Sequence, residues 1–445
     1  MIRLGTREVL LGCLGLIVLF ECAQFVWLYR ARSPVSLGSH KFRPIVSPDE
    51  DDLARLRDLN ILCLKNGDAI LSSRPMQKPL NRDAEMKDLL EEILHCPPAE
   101  VFLPGGIRSH GYCEDGMAYT HFLQTRAMPI WVYEIEYRID GKKYSYHDLC
   151  PYTAIIMMNH YWDGIDERHD FPPNKKIILM PNVEMGDLQA RHYHRVDYVL
   201  AKTKDAYHRI MHWYEENKSP RNAQVYYTMH TSSDPTYNIT GAPKNWHNLT
   251  VFHASGNSPQ KKTGAILRCW HSRPDFPKIR IYTMLSEFND TYWELKASAP
   301  MDNVEFHFSE SVPSHEFGKM LAEASVILCP SRTEGFGHYI NQARASGGLV
   351  ITTDGAPMNE LIDETSGTLM SATVTGDTVL MGTGVTFFVN PSDVCDAVDR
   401  VVALTPEERA ARGREGRRRY LEQQKFFKNA MKKLRPFIQA EARAN

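Results

Sequence analysis

The chain has 445 residues, enough for two domains of ordinary size. It is 43% hydrophobic and 24% charged, a globular composition, and its net charge of -2 leaves no general basic field for nucleic acid. Its nine cysteines include no C-x-x-C pair, so no zinc site is indicated.

The chain opens on a targeting segment. Val9 to Tyr29 is mostly apolar, with Trp27 and Tyr29 at its far end, where aromatics suit a membrane interface. Glu21 and Gln24 shorten the strictly apolar run to Val9–Phe20, the length of a signal-peptide core. Glu21-Cys22-Ala23 is a poor cleavage site, which favours an uncleaved signal anchor over a cleaved signal. Asn217, Asn238, Asn248 and Asn289 begin N-x-S/T triplets, although Pro220 follows the first. Anchor and triplets together predict a single-pass type II protein of the Golgi or ER membrane with its catalytic part in the lumen. Residues 33–52, with Pro34, Pro44 and Pro48, read as a stem. Asp49-Glu50-Asp51 is formally D-x-D, but it follows no apolar strand and reads as a solvated charge run. No metal ligand is assigned. Cys13 and Cys22 lie in the anchor, and the other seven cysteines are odd in number, so at least one is a free thiol. Pairing among Cys96, Cys113 and Cys150 stays open.

The first globular part is expected over 53–240. Asn60–Leu64 reads as its first strand, Asp83–His95 as a helix, and Val132–Tyr137 as a half-buried strand before an Asp140-Gly141 turn. Apolar strands follow at Thr153–Met158, Lys176–Met180 and Val196–Ala201, then a helix from Lys204 to about Glu216 and a strand at Val225–Tyr227. Repeated strand-then-helix units predict an α/β sheet, whose ligands gather at the carboxyl ends of the strands. That singles out Asn159, His160, Asn182 and Glu184. His160, Asn182 and Glu184 are the candidates for an acceptor side, each with a plain structural reading beside it: a loop histidine, a turn residue, a surface carboxylate.

A second part is expected over 241–410. Its strands are Thr250–Ala254, Ile279–Thr283, Val304–Phe308, Val326–Leu328 and Leu349–Thr353; its helices are Gly264–Trp270, Ser314–Glu323 and Gly337–Ser346. Gly367–Gly384 reads as a hairpin insertion, Val385–Val389 as a strand and Pro391–Leu404 as a helix. A basic helix, Glu407–Leu434, carries Arg417-Arg418-Arg419, but its aromatics fit a core stripe and no nucleic-acid partner is assigned. The chemistry sits where Glu334-Gly335-Phe336-Gly337 opens a helix. Free N–H groups and the dipole there favour a phosphate, and the two glycines allow close approach of a ligand. Glu334 stands beside that anion site, placed to accept hydrogen bonds from sugar hydroxyls.

Pro330-Ser331, Glu334 to Gly337, Ala343, Ser346-Gly347, Val350-Ile351, Thr353-Asp354 and Glu360 carry a family resemblance. The stretch resembles the donor-site signature of the retaining GT-B glycosyltransferases, family 4 (glycosyl transferases group 1) in particular. Two departures are Gln342, where a second Glu is usual eight residues after the first, and Gly348-Leu349, where a Pro is usual. Gly256 and Lys262 fit the related phosphate loop, with Asn257 where Arg is usual. The resemblance implies two Rossmann-like α/β domains facing a cleft, the GT-B fold; residues 1–32, read above as cytoplasmic tail and transmembrane signal anchor, precede them. Residues 411–445 are then a helix crossing back to the first domain. It implies Glu334 and Lys262 as catalytic, with Gly256, Asn257, Gly335, Phe336, Gly337 and Gln342 binding a nucleotide diphosphate sugar, Gln342 at the ribose. No cofactor or metal is called for, since the nucleotide sugar is a co-substrate. The expected partners are that donor, a glycan, glycoprotein or lipid hydroxyl as acceptor, and a membrane through Val9–Tyr29. The alternative is an inactive GT-B protein that binds a nucleotide sugar or glycan.

Overall fold

Two mainly parallel sheets organise the chain, each with central strands buried on both faces. A computed structural model describes residues 49–74, 78–184, 186–375 and 385–444. Val9–Tyr29 and the stem up to residue 48 lie outside them. Among the described residues, no helix is long and apolar enough to cross a membrane.

The first sheet contains β1 (Leu71–Ser72), β2 (Ala99–Phe102), β3 (Arg126–Met128), β6 (Ala154–Asn159), β7 (Ile177–Pro181), β8 (Tyr198–Ala201) and β9 (Gln224–Tyr227). A separate hairpin, β4 (Tyr137–Ile139) with β5 (Lys142–Tyr144), projects between β3 and β6 in sequence. The sheet order is β1-β3-β2-β6-β7-β8-β9, parallel except for β1 against β3. β2, β6, β7 and β8 are buried at every position, as strands covered by helices on both faces must be.

The second sheet orders β12 (Val304–Phe308), β11 (Lys278–Thr283), β10 (Thr250–Gly256), β13 (Val326–Cys329), β14 (Leu349–Thr353) and β15 (Gly367–Met370), all parallel. β16 (Thr373–Thr375) and β17 (Thr386–Phe388) form an antiparallel pair beyond it. The final helix, Pro406–Ala444, starts on this half, where Arg409 donates to the carbonyl of Trp246 at 2.8 Å. It ends in the first half, where Phe427, Met431, Leu434 and Ile438 join the core around β2 and β6. Its arginine run is spent on ion pairs: Arg417 with Asp234, Arg418 with Glu415, and Arg419 with Asp363.

Two sequence expectations fail here for one reason. Asn60–Leu64 is not a strand but the end of the helix Glu50–Lys65, which buries Leu53, Leu56, Leu59 and Cys63. Those positions are three or four apart, a helical stripe that a short window hides. The same helix takes in Glu50, Asp51 and Asp52, read as stem, and places them at its N-terminal turn, where carboxylates suit the dipole. Asp52 meets His121 at 2.9 Å, and Lys428 bonds both Asp49 and Asp52, so the acidic run is not simply solvated. Val132–Tyr137 is likewise not one strand. Ile130–Tyr133 is a 3-10 turn after Pro129 that buries Trp131, Val132 and Tyr133 together, and only Tyr137 enters the hairpin. The predicted turn at Asp140-Gly141 is present.

Three disulfides tie this framework: Cys63–Cys113, Cys96–Cys150 and Cys269–Cys395. The first joins the helix Glu50–Lys65 to the helix Cys113–Phe122, and the third joins Thr263–Ser272 to Pro391–Ala403. Among the described residues Cys329 is the free thiol, buried at the end of β13.

Candidate active site

The carboxyl ends of the first sheet's strands face the start of the helix His338–Ala345 of the second. Gly335 makes the contact visible. A Cβ built on it meets Asn182 Oδ1 and both carboxylate oxygens of Glu184, with Glu184 Oε2 at 2.5 Å. The structure therefore brings together two residues from the acceptor-side candidates and the glycine turn of the donor motif. Gly337 holds φ at +94°, a left-handed conformation that favours glycine, and so turns the chain into the helix.

Glu334 sits in a pocket of donors. Ser331 Oγ donates to its Oε1 at 2.5 Å, and Lys261 forms an ion pair with the same oxygen. The Lys261 ammonium also lies 3.4 Å from the centre of the Tyr339 ring, whose hydroxyl meets Ser331 Oγ at 2.5 Å. The sequence pointed to Lys262 as the cation of the phosphate loop. Lys261 and Lys262 are both half-buried, and it is Lys261 that reaches Glu334. Lys262 adopts a left-handed φ of 54° at the start of the helix Thr263–Ser272, which swings its side chain elsewhere. Its ammonium lies 5.4 Å from the Phe388 ring, and burial, then the charge of Arg332, lowers its pKa. The charges of Lys262 and Arg332 repel one another near a helix start, where an anion would be favoured. Arg332 is anchored there by its backbone, whose N–H donates to Gln260 and whose carbonyl accepts from Phe387, each at 2.8 Å. Gly256 has φ +54° and turns the chain into Asn257.

Gln342 donates to Glu114 Oε1 at 2.8 Å and lines a cavity of about 430 Å³ between the two halves. Phe336 is buried edge-on to His230 and His338. His160 meets the Tyr112 hydroxyl at 2.5 Å through Nε2, and its Nδ1 lies 3.6 Å from Asp187. Glu184 is the unusual member: its Oε2 is out of solvent and has no hydrogen-bond partner among the described residues. Burial raises its pKa to about 7, against the pull of Lys202 and with a push from Glu334 and Asp115. Near neutral pH this carboxyl group can both hold and release a proton.

Behind these residues lies a cluster that sequence reading missed. Asp115, on the helix Cys113–Phe122, is buried and accepts from Asn159 Nδ2 at 2.8 Å and from Lys202 Nζ at 3.4 Å. Its Oδ1 also lies 2.9 Å from His230 Nε2 and 3.0 Å from His338 Nε2. Lys202, at the end of β8, donates in turn to Asn159 Oδ1 at 3.1 Å and to Asn182. Nearby cations hold Asp115 well below the ordinary carboxylate range despite burial, which acts the other way. Asp115, His230 and His338 are metal-ligand types with ligand atoms within 4.8 Å of one another. Lys202 already neutralises the carboxylate, so the group reads as a hydrogen-bonded ion cluster. The available signal was position: Lys202 follows a strand, like Asn159 and Asn182. Asp115, inside a helix, gave none.

Three buried histidines give a pH signature. Burial lowers His230 and His253 to about 4 and His147 to about 3. All three stay neutral in the folded protein, while the unfolded chain protonates them near pH ~6.5. Unfolding therefore takes up protons as pH falls from ~6.5 to ~4; Glu184, protonated in the folded protein below about pH 7, offsets one of them, so stability is expected to drop across that window by up to about 3 kcal/mol per pH unit. Asp115 adds little there, because its own contribution is lost only as pH falls from its unfolded value of ~3.9 towards its depressed folded one. Urea midpoints between pH 7 and pH 4.5 check this; a flat profile would refute it.

Residues 291–418 match the family model described as glycosyl transferases group 1. The structure is similar to the sucrose-phosphate synthase of Thermosynechococcus elongatus, with TM-score 0.51 and 13% identity over 71% of this chain and 84% of that one. It also resembles the GtfA/B complex (TM-score 0.49, 15% identity, 68% of this chain, 63% of that chain). A third neighbour is TarM (TM-score 0.43, 15% identity, 64% of this chain, 56% of that chain). The chain spans less than two thirds of these last two proteins. No curated protein sequence matches it. The two-sheet fold is that of the GT-B class, and the glycosyl transferases group 1 match lies within its second half.

Proposed function

We propose that the protein moves a sugar from a nucleotide diphosphate sugar to a hydroxyl acceptor, with retention at the anomeric carbon and without a metal. One observation carries the reading: Glu334, ion-paired with Lys261, leads into the turn whose Gly335 lies against Asn182 and Glu184 across the cleft. The diphosphate fits at the start of the helix His338–Ala345, with Lys261, Lys262 and Arg332 as cations opposing the charge that develops as it departs. Arg332 supplies a cation where Asn257 removes one, which favours the active reading over an inactive binder. Glu334 orients the sugar. As the bond from sugar to phosphate breaks, the acceptor oxygen takes the anomeric carbon, and Glu184 is placed to receive its proton. His160 and Asn182 line the acceptor side.

The three disulfides suit an oxidising compartment, and Asn217, Asn238 and Asn248 are exposed where a glycan would need them. These features, with the anchor read in Val9–Tyr29, support a type II protein of the Golgi or ER acting on glycan, glycoprotein or lipid hydroxyls.

The test is nucleoside diphosphate release by the full-length protein from a panel of UDP- and GDP-sugars with mixed glycan acceptors. Glu334→Ala and Lys261→Ala are each expected to lower the rate at least about 100-fold. Binding of a donor with no release across the panel would select the inactive binder. Undiminished release in both variants would place the donor elsewhere.

A further inference from the structure

We propose that Gln342 is matched to Glu114 of the opposite half, and that the consecutive carboxylates Glu114 and Asp115 position the donor helix His338–Ala345. This rests on the donor-site reading above. Glu114 Oε1 accepts from Gln342 Nε2 at 2.8 Å, Ser233 Oγ at 2.6 Å and Asn60 Nδ2 at 2.5 Å, and its Oε2 accepts from the Ser233 N–H at 2.7 Å. None of these four donors is a cation.

One turn earlier on the same face of the donor helix, His338 meets Asp115. Its other ring nitrogen lies 2.8 Å from Ser232 Oγ, which also accepts from Asn341 Nδ2 at 3.2 Å. Two neighbouring carboxylates of one half thus grip positions 338 and 342 of the other, with Ser232-Ser233 threaded between them. Gly337 leads directly into His338, so the grip acts on the turn that holds Glu334 and Gly335. It also sets one wall of the cavity that Gln342 and Glu114 line together with Asn60, Arg108, Ser314 and Phe317.

The departure from the related enzymes at this position then has a physical cause. A glutamate at 342 would set a second carboxylate against Glu114 where a donor is needed, and an ionised carboxylate has no hydrogen to give. The amide is the isosteric group that can donate. Gln342 is therefore the residue that Glu114 requires, and the pair is a positioning element.

The experiment is a cycle on the full-length chain: Gln342→Glu, Glu114→Gln, and the double exchange Glu114→Gln/Gln342→Glu. Melting temperature is read without ligand, and UDP and GDP binding by calorimetry. Gln342→Glu is expected to lower the melting temperature and to weaken whichever nucleotide binds by about 10-fold or more. The double exchange restores both, with binding within about 3-fold of the parent, because donor and acceptor change sides while the Ser233 hydroxyl and a turned-over Asn60 amide accept from the new amide. If Gln342 serves the ribose alone, the added carboxylate tightens binding whatever stands at 114, and that opposite sign overturns the proposal. Binding of neither nucleotide to the parent protein would refute the donor-site reading. The melting-temperature cycle would still decide the pairing: no loss, or a loss the double exchange does not repair, sinks it.

Discussion

Gly335→Ala is expected to lower sugar transfer by at least about 100-fold, since a misplacement of about 1 Å at a reacting centre suffices for that. The methyl group would land 2.5 Å from Glu184 Oε2 and as close to Asn182 Oδ1, well inside any real contact. Asn182 is held by Lys202 and Glu184 is packed out of solvent, so neither withdraws freely. The turn itself must shift, and it carries Glu334. Stability should fall only modestly, by about 1–3 kcal/mol for an overpacked site. Gly264→Ala is the contrast. It lies at the start of the other helix, and its new Cβ meets only Phe288 at an ordinary 3.6 Å, so activity should stay near the parent's. Initial rates and urea midpoints for the two variants check the pair. A fully active Gly335→Ala would mean that the two faces of the cleft do not meet at the donor.

Lys202→Met is expected to cost about 3–5 kcal/mol of stability, the usual result of leaving a buried charge without its partner. The ammonium is buried and bonds Asp115, Asn159 and Asn182, which come from three elements. Its loss leaves Asp115 opposite two histidines and releases Asn182 from its place over Gly335. Transfer should therefore fall along with stability. Removing the carboxylate too, in Lys202→Met/Asp115→Leu, should recover part of the stability, because the uncompensated charge is gone while Asn159 and His338 lose their acceptor. Urea denaturation of both variants and the parent measures this. A single variant as stable as the parent would show that the lysine is dispensable to the cluster.

Local pattern alone determined much of this protein. Val326–Cys329, the glycine turn, the helix His338–Ala345 and the strand Leu349–Thr353 lie where apolar period and Gly punctuation put them. Ser314–Glu323 and the strands β6 to β12 were legible for the same reason, since periodicity is a property of neighbouring residues. Asn60–Leu64 misled because five apolar-rich residues cannot distinguish a strand from a helical stripe. The glycine turn after Glu334 and the helix start behind it were legible, as backbone turns and helix starts are written in sequence. What faces that motif was decided only in three dimensions. Whether Lys261 or Lys262 meets Glu334 depends on the left-handed φ of Lys262, which rotates adjacent side chains apart. Asp115, Lys202, His230 and His338 are far apart in the chain, and no spacing rule joins them. They meet because strand ends of one sheet pack against a helix start of the other. Burial there shifts their charges and gives Glu184 and Gln342 surroundings that neither residue type reveals by itself.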